Sequence, residues 1–140
     1  MPLVPKDTEI SRARKEAAAV GFSSMGNVAT SGVRAECRKG IDWYEAGEGG
    51  DGLMPETVRW ARKLRDGDTI TPEKVRKMSA WLARHEVDKR GEGFSPGEKG
   101  YPSPGRVAWA LWGGDPAVGW SAKLVSRMDA TTHKNAQQGA

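Results

Sequence analysis

Apolar residues along this chain return every three or four positions, in short runs punctuated by glycine and proline. That spacing is the signature of amphipathic helices. "DTEISRARKEAAAVGF" predicts a first helix, capped by Asp7 or Thr8 and ended by Gly21. Its apolar face is thin, so residues 1–26 read as a peripheral helical arm. In "TSGVRAECRKGIDWYEAG", Val33, Cys37, Ile41 and Tyr44 form one stripe, started by Thr30 or Ser31 and stopped by Gly47. The glycines of residues 47–52 predict a loop. Pro55 then opens "PETVRWARKLRDG", where Val58, Ala61 and Leu64 share a face and Trp60 flanks it.

Thr71-Pro72 pairs a cap with a first-turn proline and begins a fourth helix. Val75, Met78, Leu82 and His85 fall on its inner face, and Gly91 is its expected stop. Residues 91–103 hold four Gly and two Pro and predict an ordered loop that Phe94 and Tyr101 pin to the core. Ser103-Pro104 starts a short apolar helix with Val107 over Leu111 and Ala108 over Trp112. Gly113-Gly114 ends it. Asp115-Pro116 starts a last helix carrying Ala117, Trp120, Leu124 and Met128 on one face.

No segment alternates with period two long enough to predict a strand. The fold class is therefore all-α: a single small domain of five or six short helices. Its parts are the arm (residues 1–26), a compact domain (27–128) and a polar C-terminal tail (129–140). Isoleucine and phenylalanine are scarce, and six Trp supply the missing apolar area. Trp109, Trp112 and Trp120 sit in apolar patterns and are expected in the core. Trp43, Trp60 and Trp81 lie at the margins of their stripes, where an exposed ring could stack on a base.

Charge adds an asymmetry. Residues 1–70 hold 11 Lys/Arg and 11 Asp/Glu, and residues 71–140 hold 11 and 7, so the net +4 lies in the second half. A basic half attracts nucleic acid or an acidic protein surface. The longest apolar run, Val107–Trp112, is too short for a bilayer, so no membrane partner is expected. The start, "MPLVPKDTEI", has no apolar stretch of the signal-peptide kind. Cys37 is the only cysteine, which excludes an internal disulfide and a cysteine-based zinc site and fits a reducing cytosol.

Three stretches invite a chemical reading. In "RHEVD", His85 and Asp88 are one turn apart and could share an ion, but a dependable metal site needs three or four converging ligands. The plainer reading is a helix end, and no metal or cofactor is expected. "GEGFSPGEKGYPSPG" has the glycines of a phosphate cradle, but neither the preceding strand nor the Gly-Lys-Ser/Thr ending of a P-loop. "WGGDP" reads as helix punctuation. No Ser-His-Asp set, Cys–His pair or paired carboxylates in an apolar setting occur, so the chain reads as a binding protein rather than an enzyme.

What remains is a basic set: Arg59, Arg62, Lys63, Lys74, Arg76, Lys77, Arg84, Lys89, Arg90 and Arg106. Several crowd around the turn "RDGDTIT", and the two helices it joins have the lengths of a helix-turn-helix. Any helical hairpin gives the same pattern.

Residues 33–127 also resemble a module that recurs in proteins of tailed bacteriophages. The resemblance rests on "VRAECRKGIDWYEAG", on "ARKLRDGDTITPEKVRKM", and on "ARHEVDK" followed by "GYPSPGRVAWALWGGD". The chain departs from that pattern at "GEGGDGLMPETVRWAR", where the family has a Gly-Thr-rich turn and a Gly-x-Ala-Arg start. The resemblance implies phage origin, an α-helical accessory module and binding rather than chemistry. It carries no catalytic residue with it.

These observations lead to the expectation of a phage-encoded, non-enzymatic protein that binds duplex DNA by phosphate contacts. The residues expected to make them are Arg62, Lys74, Lys77, Arg84, Lys89, Arg90 and Arg106. The alternative is a virion-associated module that docks on a phage or host protein. A small metal-dependent enzyme built on His85, Glu86 and Asp88 comes third. The expected setting is the host cytoplasm during infection, or the virion.

Overall fold

The computed structural model describes residues 27–139, with side chains described as far as residue 132. The expected arm and its helix lie outside the described residues. The chain is all-α, and no strand occurs among the described residues. Helices α1 (Ser31–Glu45), α2 (Pro55–Arg65) and α3 (Pro72–His85) lead into a 3₁₀ turn (Glu86–Arg90). The Gly/Pro loop follows, then α4 (Pro104–Leu111) and α5 (Gly114–Gly139).

The cap signals in the sequence act as written. Thr30 Oγ1 accepts from the Val33 amide at 3.4 Å. Thr71 Oγ1 accepts from the Lys74 amide and Ser103 Oγ from the Arg106 amide, each at 3.1 Å. In both latter helices a proline follows the cap, where its missing N–H costs nothing. The last helix starts one residue earlier than the Asp115-Pro116 signal, at Gly114, so Asp115 lies within its first turn. It also continues past Met128 to Gly139, because no glycine or proline interrupts residues 120–138.

Helix α1 is the centre of the domain and packs on α2, α4 and α5, while α3 packs on α5. Val33, Cys37 and Ile41 are fully buried on α1, as are Val75 and Met78 on α3. The crossing of α1 and α4 is unusually close, and Gly40 permits it. A Cβ there would lie 2.8 Å from the Leu111 amide nitrogen and 3.0 Å from the Ala110 Cβ. Burial at this crossing pushes the Cys37 thiol up to about 12, with Glu36 adding to the effect, so it is a core group and not a nucleophile.

Trp109 is 1% exposed and joins four elements. Its Nε1 donates to Asp115 Oδ1 on α5 at 3.0 Å. Lys89 of the 3₁₀ turn lies over its ring at 5.0 Å, Phe94 of the loop meets it edge-on at 6.2 Å, and Trp81 of α3 lies at 6.3 Å. The loop is thus a packed connector. Glu98 Oε1 accepts from the amides of Gly93 (3.1 Å) and Ser95 (2.8 Å), and the Ser103 amide donates to the Gly93 carbonyl at 2.9 Å. Gly93 has φ +91°, and a Cβ there would meet the Lys99 carbonyl oxygen at 3.0 Å.

Several core expectations need correction. Tyr44 lies on the α1 stripe but is 37% exposed, because it sits in the last turn, beside Gly49 of the loop. His85 is not buried: its side chain is 38% exposed. The α-helix tightens into the 3₁₀ turn there, which changes the register of its last turn. Tyr101 is half-buried, edge-on to Trp43 at 5.6 Å. Trp112 and Trp120, expected in the core, are only partly buried against it.

Trp109→Ala is expected to lower stability by about 3–5 kcal/mol, read as a fall in Tm and denaturation midpoint. Tyr101→Ala will cost clearly less. Gly40→Ala reverses the usual sign. On an exposed helix it would help by up to about 1 kcal/mol, but here overpacking against α4 should cost about 1–3 kcal/mol. A neutral or raised Tm for Gly40→Ala would refute the close crossing.

Candidate functional site

Helices α2 and α3 follow one another in sequence, yet their backbones stay apart and it is side chains such as Lys74 and Trp60 that meet between them. Each is held from behind, α2 by α1 and α3 by α5. Their linker is tied down as well. The Asn27 side chain donates to the Ile70 carbonyl, and Arg34 Nε donates to the Arg65 carbonyl at 3.1 Å. The helices therefore do not pack side by side as a close hairpin. An open groove of about 560 Å³ takes its place.

The groove has an aromatic and cationic lining. Met54, Glu56, Thr57 and Trp60 line it on the α2 side, and Trp112 lines it from the end of α4. Thr71, Glu73, Lys74, Lys77, Ala80, Trp81 and Arg84 come from α3 and its cap. Residues 74, 77, 81 and 84 are spaced three or four apart and so form one helix face.

Lys74 is the central feature. It is only 7% exposed, and its Nζ lies 4.1 Å from the Trp112 ring centroid and 4.9 Å from that of Trp60. No carboxylate lies within salt-bridge distance of it among the described residues. Two indole faces replace the lost water in part, since a ring face attracts a cation. Burial nevertheless lowers the Lys74 pKa to about 8, with Lys77 and Arg59 pressing in the same direction and Glu56 against it.

The stack continues behind Lys74. Trp112 lies parallel to Trp81, with centroids 4.8 Å apart and planes 9° from coplanar. Trp81 in turn stacks on His85 at 4.1 Å. Trp60, Lys74, Trp112, Trp81 and His85 form one continuous column from groove to helix end. Lys63 adds a cation 5.6 Å from the Trp60 ring.

The expected phosphate-contact residues divide into two groups. Lys74, Lys77 and Arg84 meet in the groove. The other four do not. Arg62 faces α1, where it pairs with Glu45 at 3.5 Å. Lys89 is held by Asp115 at 2.8 Å and Glu86 at 3.2 Å, and the hydrogen bond to Asp115 raises its pKa. Burial pushes the Asp115 carboxyl up, but hydrogen bonds from Lys89 and Trp109 outweigh this and hold its pKa below the usual value. Arg106 has a side chain 12% exposed, lies 3.1 Å from Glu36, and covers the rings of Trp43 (5.0 Å) and Phe94 (5.7 Å). Both cations brace the domain. Arg90 is exposed, outside the groove lining.

His85 Nδ1 and Asp88 Oδ2 do meet, at 2.9 Å, as an exposed pair. Among the described residues no three metal-binding side chains converge. Charge alone marks Lys74, Lys77 and Arg84 in the sequence. It does not associate them with Trp60, Trp81 and Trp112, nor include Met54, Thr57 or Thr71. The signal available was the shared face of 74, 77, 81 and 84. No periodicity could bring in Trp112, which arrives from another helix.

No family model matches the chain, and neither a curated protein nor a solved structure matches it. No helix among the described residues is long and apolar enough to cross a membrane.

The Lys74 pKa has a thermodynamic consequence. Its folded value, about 8, lies below the ordinary 10.5 of an unfolded chain. Between those values the unfolded state binds more protons, so stability rises with pH across this window. Below pH 8 both states are charged and the burial cost is borne in full. The wild type should therefore gain stability relative to Lys74→Met between pH 8 and 10.5, measured by urea denaturation of both proteins. A constant difference between the two would show that the amine keeps its ordinary pKa.

Proposed function

We propose that this protein is a non-enzymatic nucleic-acid-binding protein whose contact surface is the groove between α2 and α3. The observation that carries this reading is the Lys74 ammonium. It is confined between Trp60 and Trp112 with no carboxylate in salt-bridge distance among the described residues, on the same face as Lys77 and Arg84. A partly desolvated cation is completed by an anion, and phosphate is the anion that a polynucleotide offers in series. The cations and indoles of the lining recognise ligands by charge and stacking and hold them without transforming them. The basic second half of the chain adds attraction at longer range. The resemblance of residues 33–127 to a tailed-phage module supports a phage-encoded accessory role in the host cytoplasm.

This reading narrows the phosphate-contact set to Lys74, Lys77 and Arg84, with Lys63 at the margin. Arg62 pairs with Glu45 outside the groove, and Lys89 and Arg106 brace the fold. Fluorescence anisotropy with labelled DNA across a salt series tests it. Micromolar binding at low salt should fall steeply between about 50 and 200 mM. Replacing Lys77 and Arg84 together by Ala should weaken binding and reduce the salt slope by roughly 1–2. Lys123→Ala, on the exposed side of α5, should do neither. Failure to bind any DNA at low salt would sink the proposal.

A further inference from the structure

Resting on the nucleic-acid reading of the groove, we infer that its ligand is single-stranded, with one phosphate seated at Lys74 and one unpaired base laid against Trp60. Three observations favour a single strand over a duplex.

The first is depth. Lys74 is 7% exposed at the groove floor. A duplex presents its phosphates on a broad convex cylinder, which can touch rim residues such as Lys77 and Arg84 but cannot lower one phosphate between two indole rings. A single strand is flexible enough to do so and to splay a base onto an aromatic wall.

The second is the absence of a duplex-reading scaffold. The backbones of α2 and α3 stay apart, so α3 is backed by α5 and not by the preceding helix, as the recognition helix of a helix-turn-helix is.

The third is the acidic part of the lining. Glu56 and Glu73 stand beside the cations in the same groove. Against a continuous duplex backbone they would only repel. Against an unpaired base their oxygens can also accept hydrogen bonds from the ring N–H groups, which pairing hides in a duplex. The volume of about 560 Å³ suits one or two nucleotides at a time, so the groove reads as a short contact within a longer strand.

The test compares a labelled mixed-sequence single-stranded DNA of about 15 nucleotides with its own duplex, by anisotropy and by quenching of tryptophan fluorescence. The single strand should bind at least about 10-fold more tightly and quench the indole emission, as base stacking does. Lys74→Met keeps the stem between the rings and removes the charge, and Trp60→Leu removes the platform. Each should weaken single-strand binding about 10-fold with little effect on weak duplex binding, in variants whose circular dichroism matches wild type. Duplex binding as tight as single-strand binding, weakened by Lys74→Met but unchanged by Trp60→Leu, would overturn the inference while leaving the phosphate reading intact. Binding of neither form would overturn both.

Discussion

The burial of Trp109 is the constraint on which the rest of this structure depends. A small domain short of isoleucine and phenylalanine must find its apolar area elsewhere, and a single indole supplies a great deal. Trp109 also has a polar edge, which must be satisfied when buried. Asp115 satisfies it at 3.0 Å, and Lys89 then neutralises Asp115 at 2.8 Å. One buried ring thereby ties α4 to α5 and to the 3₁₀ turn. Phe94 and Trp81 close on the remaining sides and recruit the Gly/Pro loop and α3. A stretch that looks in sequence like a catalytic or phosphate-binding loop is, in the fold, the wrapping around this residue.

The groove follows from the same arrangement. Trp81 touches Trp109 on the core side and stacks on Trp112 toward the groove. Helix α3 is held against α5, and α2 against α1, so the space between them stays open. Lys74 points into that space because Val75 and Met78 occupy the buried face of the same helix. Its aliphatic stem covers apolar surface while its head remains at the groove floor. Each cation–π contact is worth about 0.5–2 kcal/mol, depending on desolvation. Burial lowers the Lys74 pKa, so the charged amine carries a desolvation cost at this position. The cation is held in place and left short of counter-charge, which is the condition that favours an incoming anion.

Much of the fold was legible because its signals are local. Caps, first-turn prolines and terminal glycines depend on a few adjacent residues, and Thr71-Pro72 and Ser103-Pro104 act as they read. The stripes Val58–Ala61–Leu64 and Val75–Met78–Leu82 are inward because period alone decides it. Two of the misplacements share one cause. Tyr44 and His85 lie on the right stripes but in terminal turns, where cover depends on distant elements or the helix changes pitch. The site was legible as a list of charges and not as a place. Charge on a sequence does not tell a cation that is free from one that braces the fold, and Lys89 and Arg106 brace it through Asp115 and Glu36. Nor does local pattern tell whether consecutive helices pack or part. Helices α2 and α3 part because each has a better partner elsewhere.

Core and candidate site in this protein are made from one set of residues. The indoles that compensate for a thin aliphatic core continue outward as Trp81, Trp112 and Trp60, so the groove wall is the edge of the core. This has a cost and a benefit. Groove substitutions on the inner part of the column, at Trp81 or Trp112, remove stabilising area along with any ligand contact, and the two effects cannot be separated there. The benefit is rigidity. A groove wall of stacked rings such as Trp112 and Trp81 has little conformational freedom to lose, so under the proposed binding less of the contact energy is consumed in ordering the protein. On the proposed reading, a groove with a stacked-ring wall and an ammonium lacking a salt-bridge partner is pre-organised for a flexible anionic chain. The entropy lost on binding then falls mainly on the ligand.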